Sequence, residues 1–133
     1  MSFEDLLLPN AEVLAGEYLS YVTGTSLLFP LAVEDGGTLM SFASGYTATM
    51  TLNLGDGTDV LTWTNVATGG RVIDLNPTEA ASLVIRSTPA GMATLDTYRR
   101  QALAFNLIVT RTSDGLAVDL MRDCFIIPLP EHD

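Results

Sequence analysis

The stretch Tyr46-Thr47-Ala48-Thr49-Met50-Thr51-Leu52-Asn53-Leu54 places apolar and polar side chains in strict alternation. A period of two fits an extended chain with one face on a core and a threonine-rich face in water; the helical period of 3.6 would scatter these residues around a cylinder. The same period recurs in Leu103, Phe105, Leu107 and Val109, which oppose Asn106 and Thr110, and again in Val118 and Leu120, then Phe125 and Ile127. Parity changes between Leu120 and Phe125, which predicts a β-bulge there.

Around these runs the chain alternates short apolar segments with turn signals, the spacing of a sandwich or small barrel. It predicts about seven strands, near 17–23, 26–33, 46–54, 59–64, 71–75, 102–111 and 116–127. Glu34-Asp35-Gly36-Gly37, Gly55-Asp56-Gly57, Thr68-Gly69-Gly70 and Ser113-Asp114-Gly115 supply the glycines of tight hairpins and favour antiparallel pairing. One helical turn is expected over Asn76–Leu83, with Asn76 as N-cap, Pro77 at the first helical position and Glu79 as the returning acid of a capping box. Residues 86–100 then read as a long surface connection, a common place for binding function. Residues 1–16, with Leu6-Leu7-Leu8 before Pro9-Asn10, read as an N-terminal arm, an edge strand or one helical turn. A length of 133 residues suits one domain, expected over 17–133.

Composition narrows the chemistry. Sixteen acids oppose six bases, giving a formal net charge of −10, and a phosphate backbone would meet a repulsive field. Nucleic acid is not an expected partner. No run approaches the roughly 20 apolar residues of a spanning helix, so no membrane partner is expected and the protein is read as soluble. The start Met1-Ser2-Phe3-Glu4-Asp5 lacks the basic region of a secretory signal, so synthesis in a cytoplasm is expected. Cys124 is the only cysteine, which excludes an intrachain disulfide, and in its apolar strand it reads as a core residue. The only histidine, His132, stands next to the last residue, so a histidine-based triad is not expected. Gly55-Asp56-Gly57-Thr58-Asp59 lacks the third ligand position and closing glutamate of a calcium loop and reads as a hairpin turn. No catalytic residue, cofactor or metal site is expected.

Two clusters remain as binding candidates. Tyr98-Arg99-Arg100 joins two of the six arginines to an aromatic ring, a composition enriched at protein interfaces, though a solvated strand entry with a local ion pair fits as well. Trp63 either plugs the centre of the sandwich or anchors a partner from the surface.

Taken in order, these parts resemble the immunoglobulin-like domains of phage baseplate and tail-fibre attachment proteins, of the kind found at the N-terminus of the baseplate upper protein. Thr23-Gly24-Thr25 leads to Leu27–Val33, the turn Glu34-Asp35-Gly36-Gly37 and the strand Tyr46–Leu54. Then come Arg71–Leu75, Thr78–Leu83, Ala102–Arg111, the Ser113-Asp114-Gly115 hairpin and Leu116–Ile127. The resemblance covers roughly 20–128. Two features depart from it: a long connection between Leu83 and Ala102, and Asp123 where a small residue, often glycine, is usual.

The resemblance implies an all-β, immunoglobulin-like antiparallel sandwich and a non-enzymatic structural protein of a bacteriophage virion. Such a protein is expected at the tail or baseplate, docked on other tail, baseplate or fibre proteins in several symmetric copies. Leu6, Leu7, Leu8, Tyr98, Arg99 and Arg100 are the expected partner-binding residues. The rival readings are a capsid decoration protein and a free carbohydrate- or calcium-dependent adhesion module using Trp63 or Tyr98 beside Asp56 and Asp59.

Overall fold

The structure is a computed structural model and describes residues 3–7, 14–35 and 37–130. Leu8, Pro9, Asn10, Gly36 and His132 lie outside the described residues. The strands are β1 (Leu14–Ala15), β2 (Tyr18–Val22), β3 (Leu27–Leu31), β4 (Glu34–Asp35), β5 (Thr38–Leu39), β6 (Tyr46–Asn53), β7 (Asp59–Thr64), β8 (Arg71–Asp74), β9 (Leu83–Ser87), β10 (Leu103–Arg111) and β11 (Ala117–Leu129). A short helix, α1 (Pro89–Met92), and 3-10 helices over Phe3–Leu7 and Ala93–Tyr98 complete the described elements.

The strands form two main layers. One sheet runs β1-β11-β10-β6-β7, with β2 also paired to β11, and the other runs β3-β9-β8; β4 and β5 make a separate small hairpin. This is the expected all-β sandwich. Its strand order, with the last two long strands at the centre of the larger sheet and consecutive strands crossing between layers, is immunoglobulin-like. β6 shows why it folds so: Ala48, Met50 and Leu52 are buried while Thr47 and Thr49 are exposed, the alternation read from the sequence.

The bulge in β11 stands where parity changed. Phe105 pairs with Cys124 but Leu107 with Met121, so Arg122 and Asp123 oppose Asn106 alone and β11 carries one extra residue there. Asp123 takes a φ of 51°, the left-handed region that favours glycine, and its N–H donates to Oδ1 of Asn106 at 2.7 Å.

The expected helix over Asn76–Leu83 is corrected by the structure. Asn76 is no N-cap: its own N–H donates to Oδ1 of Asp74 at 3.0 Å, closing a turn. Glu79 is drawn instead to Arg86, which also pairs with Asp74 at 3.1 Å. Leu83 begins β9, the middle strand of the smaller sheet, with Leu83, Val84, Ile85 and Ser87 all buried. A strand covered on both faces reads as a continuous apolar run and loses the period-two signal, so it escaped the sequence pattern. The helix lies further on, in the segment expected as a plain surface connection: Oγ1 of Thr88 accepts from the N–H of Gly91 at 3.1 Å, and Pro89 opens α1.

Trp63 settles as the plug. Projecting from β7 with 0% exposure, it donates its indole N–H to Oγ of Ser87 at 2.9 Å and the carbonyl of Arg86 at 3.1 Å, both on β9. The guanidinium of Arg71 lies 5.8 Å from its ring centroid. The ring therefore fills the space between the layers and ties them with a directional bond.

The N-terminal segment packs onto the sandwich. Phe3 and Leu6 are buried, and the Phe3 ring meets Tyr46 at 5.0 Å and Phe42 at 6.2 Å in edge-on contacts. Arg111 fixes it, bonding Glu4 and, at 2.6 Å, Asp114, while lying 5.6 Å from the Phe3 ring centroid.

Two outcomes follow from this packing. Trp63→Phe removes both hydrogen bonds and part of the plug, and we expect a loss of about 1–3 kcal/mol in urea unfolding, from the stranded polar groups and the void. The Arg111 guanidinium, and after it the Leu116 N–H, holds the Asp114 carboxyl at about 2, below its ordinary 3.8. A depressed carboxylate adds stability that is complete above its unfolded value and is lost as pH falls through its folded value. Asp114→Asn should therefore melt below the wild type at neutral pH, with the gap closing between pH 3.8 and about 2.

Candidate docking face

The outer face of the larger sheet carries a threonine-rich patch with an uncharged centre. The residues of β6, β7 and β10 that turn away from the core are Thr47, Thr49, Thr51 and Asn53; Thr62 and Thr64; and Ala104, Asn106, Ile108 and Thr110. None is charged. The pairing Thr49↔Thr64 and Thr51↔Thr62 packs hydroxyls across the strands, with Thr51 and Thr62 oxygens 3.0 Å apart. On the other side of β6, Ile108 stands opposite Thr49 and Thr110 opposite Thr47. A shallow concavity of about 150 Å³ lies between Thr49, Thr51, Asn53, Asn106 and Ile108, smaller than the few hundred Å³ that small-molecule sites occupy.

Towards the β2 edge the face becomes apolar. Tyr18 of β2 stacks on Phe125 of β11 with ring centroids 4.9 Å apart and planes 16° apart, yet remains 62% exposed. Val22, 40% exposed, stands opposite Leu129, and Ser20 opposite Ile127. The result is a neutral hydroxyl field bordered by an apolar strip. The charged residues of this sheet lie at the margins of the field: Asp59 opposite Asn53 at the start of β7, Asp119 opposite Ile108 on β11, and Arg122 and Asp123 beyond it; Asp56 and Asp114 lie in hairpin turns and Glu79 and Asp96 in connections.

The expected partner-binding residues are divided by the structure. Leu6 is corrected: with 1% exposure its side chain belongs to the core, because the 3-10 turn that exposes Leu7 points Leu6 inward. Leu7 is 52% exposed. Tyr98 packs against the core from the end of its 3-10 helix, and Arg99 and Arg100 are exposed beyond it. Arg100 has a φ of 65°, and its N–H donates to the carbonyl of Pro128 at 2.7 Å. The arginine pair thus sits beside the end of β11 on its β10 side, across that strand from β2. Leu6–Leu7 and Tyr98–Arg100 are not brought into one site. The uncharged face itself went unremarked in the sequence, although alternating threonines without any lysine or glutamate in 46–54 were its signal.

Other chemistry finds little footing. Asp56 uses Oδ1 to accept the Thr58 N–H at 2.9 Å, the hairpin turn expected, and the Thr58 hydrogen bonds lower its pKa. Among the described residues no group of three or more His, Cys, Asp and Glu gathers to hold a metal ion. Trp63, named for the adhesion reading, is wholly buried and cannot touch a sugar. Among the described residues no helix is long and apolar enough to cross a membrane.

No family model matches the sequence, and no curated protein matches it. Among solved structures the chain is similar to one described as the ZIG-8 IG1 homodimer, at 9% identity and a TM-score of 0.47, over 91% of this chain and 85% of that one. At that score the likeness carries no weight, and the immunoglobulin-like description rests on the strand order above.

Cys124, at 0% exposure on β11 opposite Phe105, offers a direct check of the sandwich. Its thiol should resist a disulfide reagent in the folded protein and react fully only in denaturant, where access is restored.

Proposed function

We propose that this chain is a non-enzymatic docking domain of a bacteriophage virion, holding another tail or baseplate protein against the outer face of its larger sheet. The observation that carries the docking part is the uncharged middle of the outer face, from Thr47, Thr49 and Thr51 on β6 across Thr62 and Thr64 on β7 to Asn106, Ile108 and Thr110 on β10, in a chain of net charge −10. Interface centres are depleted in charged residues and enriched in aromatic ones relative to the rest of a protein's surface. The hydroxyl field provides hydrogen-bonding groups without a large desolvation penalty, and the Tyr18–Phe125 stack supplies aromatic area at its border. The virion setting rests on the resemblance of the strand and turn order, with the arginine pair beside the end of β11 as an added polar contact.

The test is immunogold electron microscopy of purified particles from a producing strain, with wild-type chain and with Thr51→Arg. Label at the tail or baseplate is the expected result. Thr51→Arg, which puts a charge in the middle of the field without touching the core, should cut labelling about tenfold, equivalent to about 1.4 kcal/mol. Label over the head identifies a decoration protein instead, and unlabelled particles overturn the virion assignment.

A further inference from the structure

Strand β2 closes one edge of the larger sheet, and its backbone shows which groups face outward. The Phe125 N–H donates to the carbonyl of Glu17 at 2.8 Å and the Thr23 N–H to the carbonyl of Leu129 at 2.9 Å. In a parallel ladder the residues of one parity face the partner, so 17, 19, 21 and 23 turn to β11 while Tyr18, Ser20 and Val22 turn their backbone groups away from it. The Val22 carbonyl is held by Thr25, through its N–H at 3.3 Å and its hydroxyl at 2.7 Å. Tyr18 and Ser20 keep both their N–H and C=O directed off the edge.

Proteins protect such edges with charge, proline or cover. Apart from the two-residue β1, the other edges of the two main sheets follow that rule. β3 contains Pro30, β8 carries Arg71 and Asp74, and on β7 Asp59 opens the strand while Nε of Arg71 occupies the Thr62 carbonyl at 3.1 Å. Among the described residues Tyr18-Leu19-Ser20-Tyr21-Val22 has none of these devices, and residues 18–33 contain no charged side chain at all.

We propose that β2 is a self-association edge, where two copies of this chain pair antiparallel about a two-fold axis through Ser20. The sequence of the strand is self-complementary in that register. Tyr18 falls opposite Val22 of the second copy and Leu19 opposite its Tyr21, so each aromatic ring meets an aliphatic side chain on the same face, a favourable cross-strand pair. Ser20 meets Ser20 of the second copy, small enough for close approach at the axis.

Charge points to the same occupant. Glu17 and Asp123 flank the Tyr18 end of the strand, where Arg122 is already matched by Asp119 at 3.8 Å. Arg99 and Arg100 lie beyond the Val22 end but one strand in from the edge, since the Arg100 N–H donates to the Pro128 carbonyl on the β10 side of β11. An antiparallel two-fold brings the basic end of each copy to the acidic end of the other, the complementarity an isologous contact needs. The axis stands perpendicular to the sheet, so both threonine faces look the same way. The pair is then a two-site platform, whose second docking event benefits from the effective concentration set by the first.

The test is sedimentation equilibrium of the full chain at concentrations up to ~1 mM, the weak end of specific association. The expected mass is twice 14.2 kDa. Ser20→Pro removes an N–H that points away from β11, and Ser20→Lys sets two like charges across the axis; both should remain monomeric with the wild-type circular dichroism spectrum. If the proline variant unfolds, the lysine variant decides. A wild type that stays monomeric throughout, or a dimer that persists in the folded Ser20 variants, overturns the proposal. Either result leaves the docking face untouched, because Thr51→Arg lies on the sheet surface away from β2 and reads out on particles, not on mass.

Discussion

The bond from the Trp63 indole to β9 is where the two layers become one object. Hydrophobic contact between sheets is non-directional, and two twisted sheets can slide over each other with little loss of buried area. A ring that must both fill the central space and deliver its N–H to Ser87 and Arg86 permits far fewer arrangements. The surrounding groups depend on that position. Arg71 is laid against the ring, its Nη1 reaches the Gly91 carbonyl at 2.9 Å, and so the turn before β8 is joined to α1. The contact at that joint is close enough to require glycine: a Cβ on Gly91 would stand 2.9 Å from the carbonyl oxygens of Gly69 and Gly70.

A second consequence concerns where charge is placed. Arginines in this chain serve structural posts: Arg86 gathers Asp74 and Glu79, Arg111 gathers Glu4 and Asp114, and Arg71 braces the tryptophan. These clusters lie at strand ends and in connections, and the hairpin acids satisfy turn N–H groups. The middle of the β6, β7 and β10 face is left neutral by this distribution, with Asp59 and Asp119 at its margins. Exposed ion pairs contribute little stability individually, so their effect here is positional: they hold acids away from a surface that must lose water to bind.

Most of the sandwich was legible because its long strands are covered on one face only. Period-two alternation located β6, β10 and β11 to within about two residues, and the change of parity located the bulge that Asp123 makes. The glycine turns marked the β6–β7 and β10–β11 hairpins. β9 was hidden by its own success as a central strand, since residues buried from both sides have no polar face to alternate. The capping pattern at Asn76–Glu79 misled for a related reason: each residue had a stronger partner elsewhere, in Asp74 and Arg86, and the real N-cap was Thr88, before a proline in the same way.

By itself the sequence determined the class of fold, the lengths of the exposed-face strands, the absence of an intrachain disulfide and the excess of acid. These are properties of local pattern and composition, and they survive whatever the strands later pack against. Tertiary structure decided which apolar residues were spent in the core and which were left for partners. Leu6 and Leu7 are neighbours of the same type, yet one is buried and one exposed, because a single 3-10 turn packs against Phe42 and Tyr46 from one side only. It also decided that threonines from β6 and β7 form one neutral field and that β2 ends as an open edge. Side chains distant in sequence share a surface only once register is set, and register is fixed by long-range pairing that no local window contains.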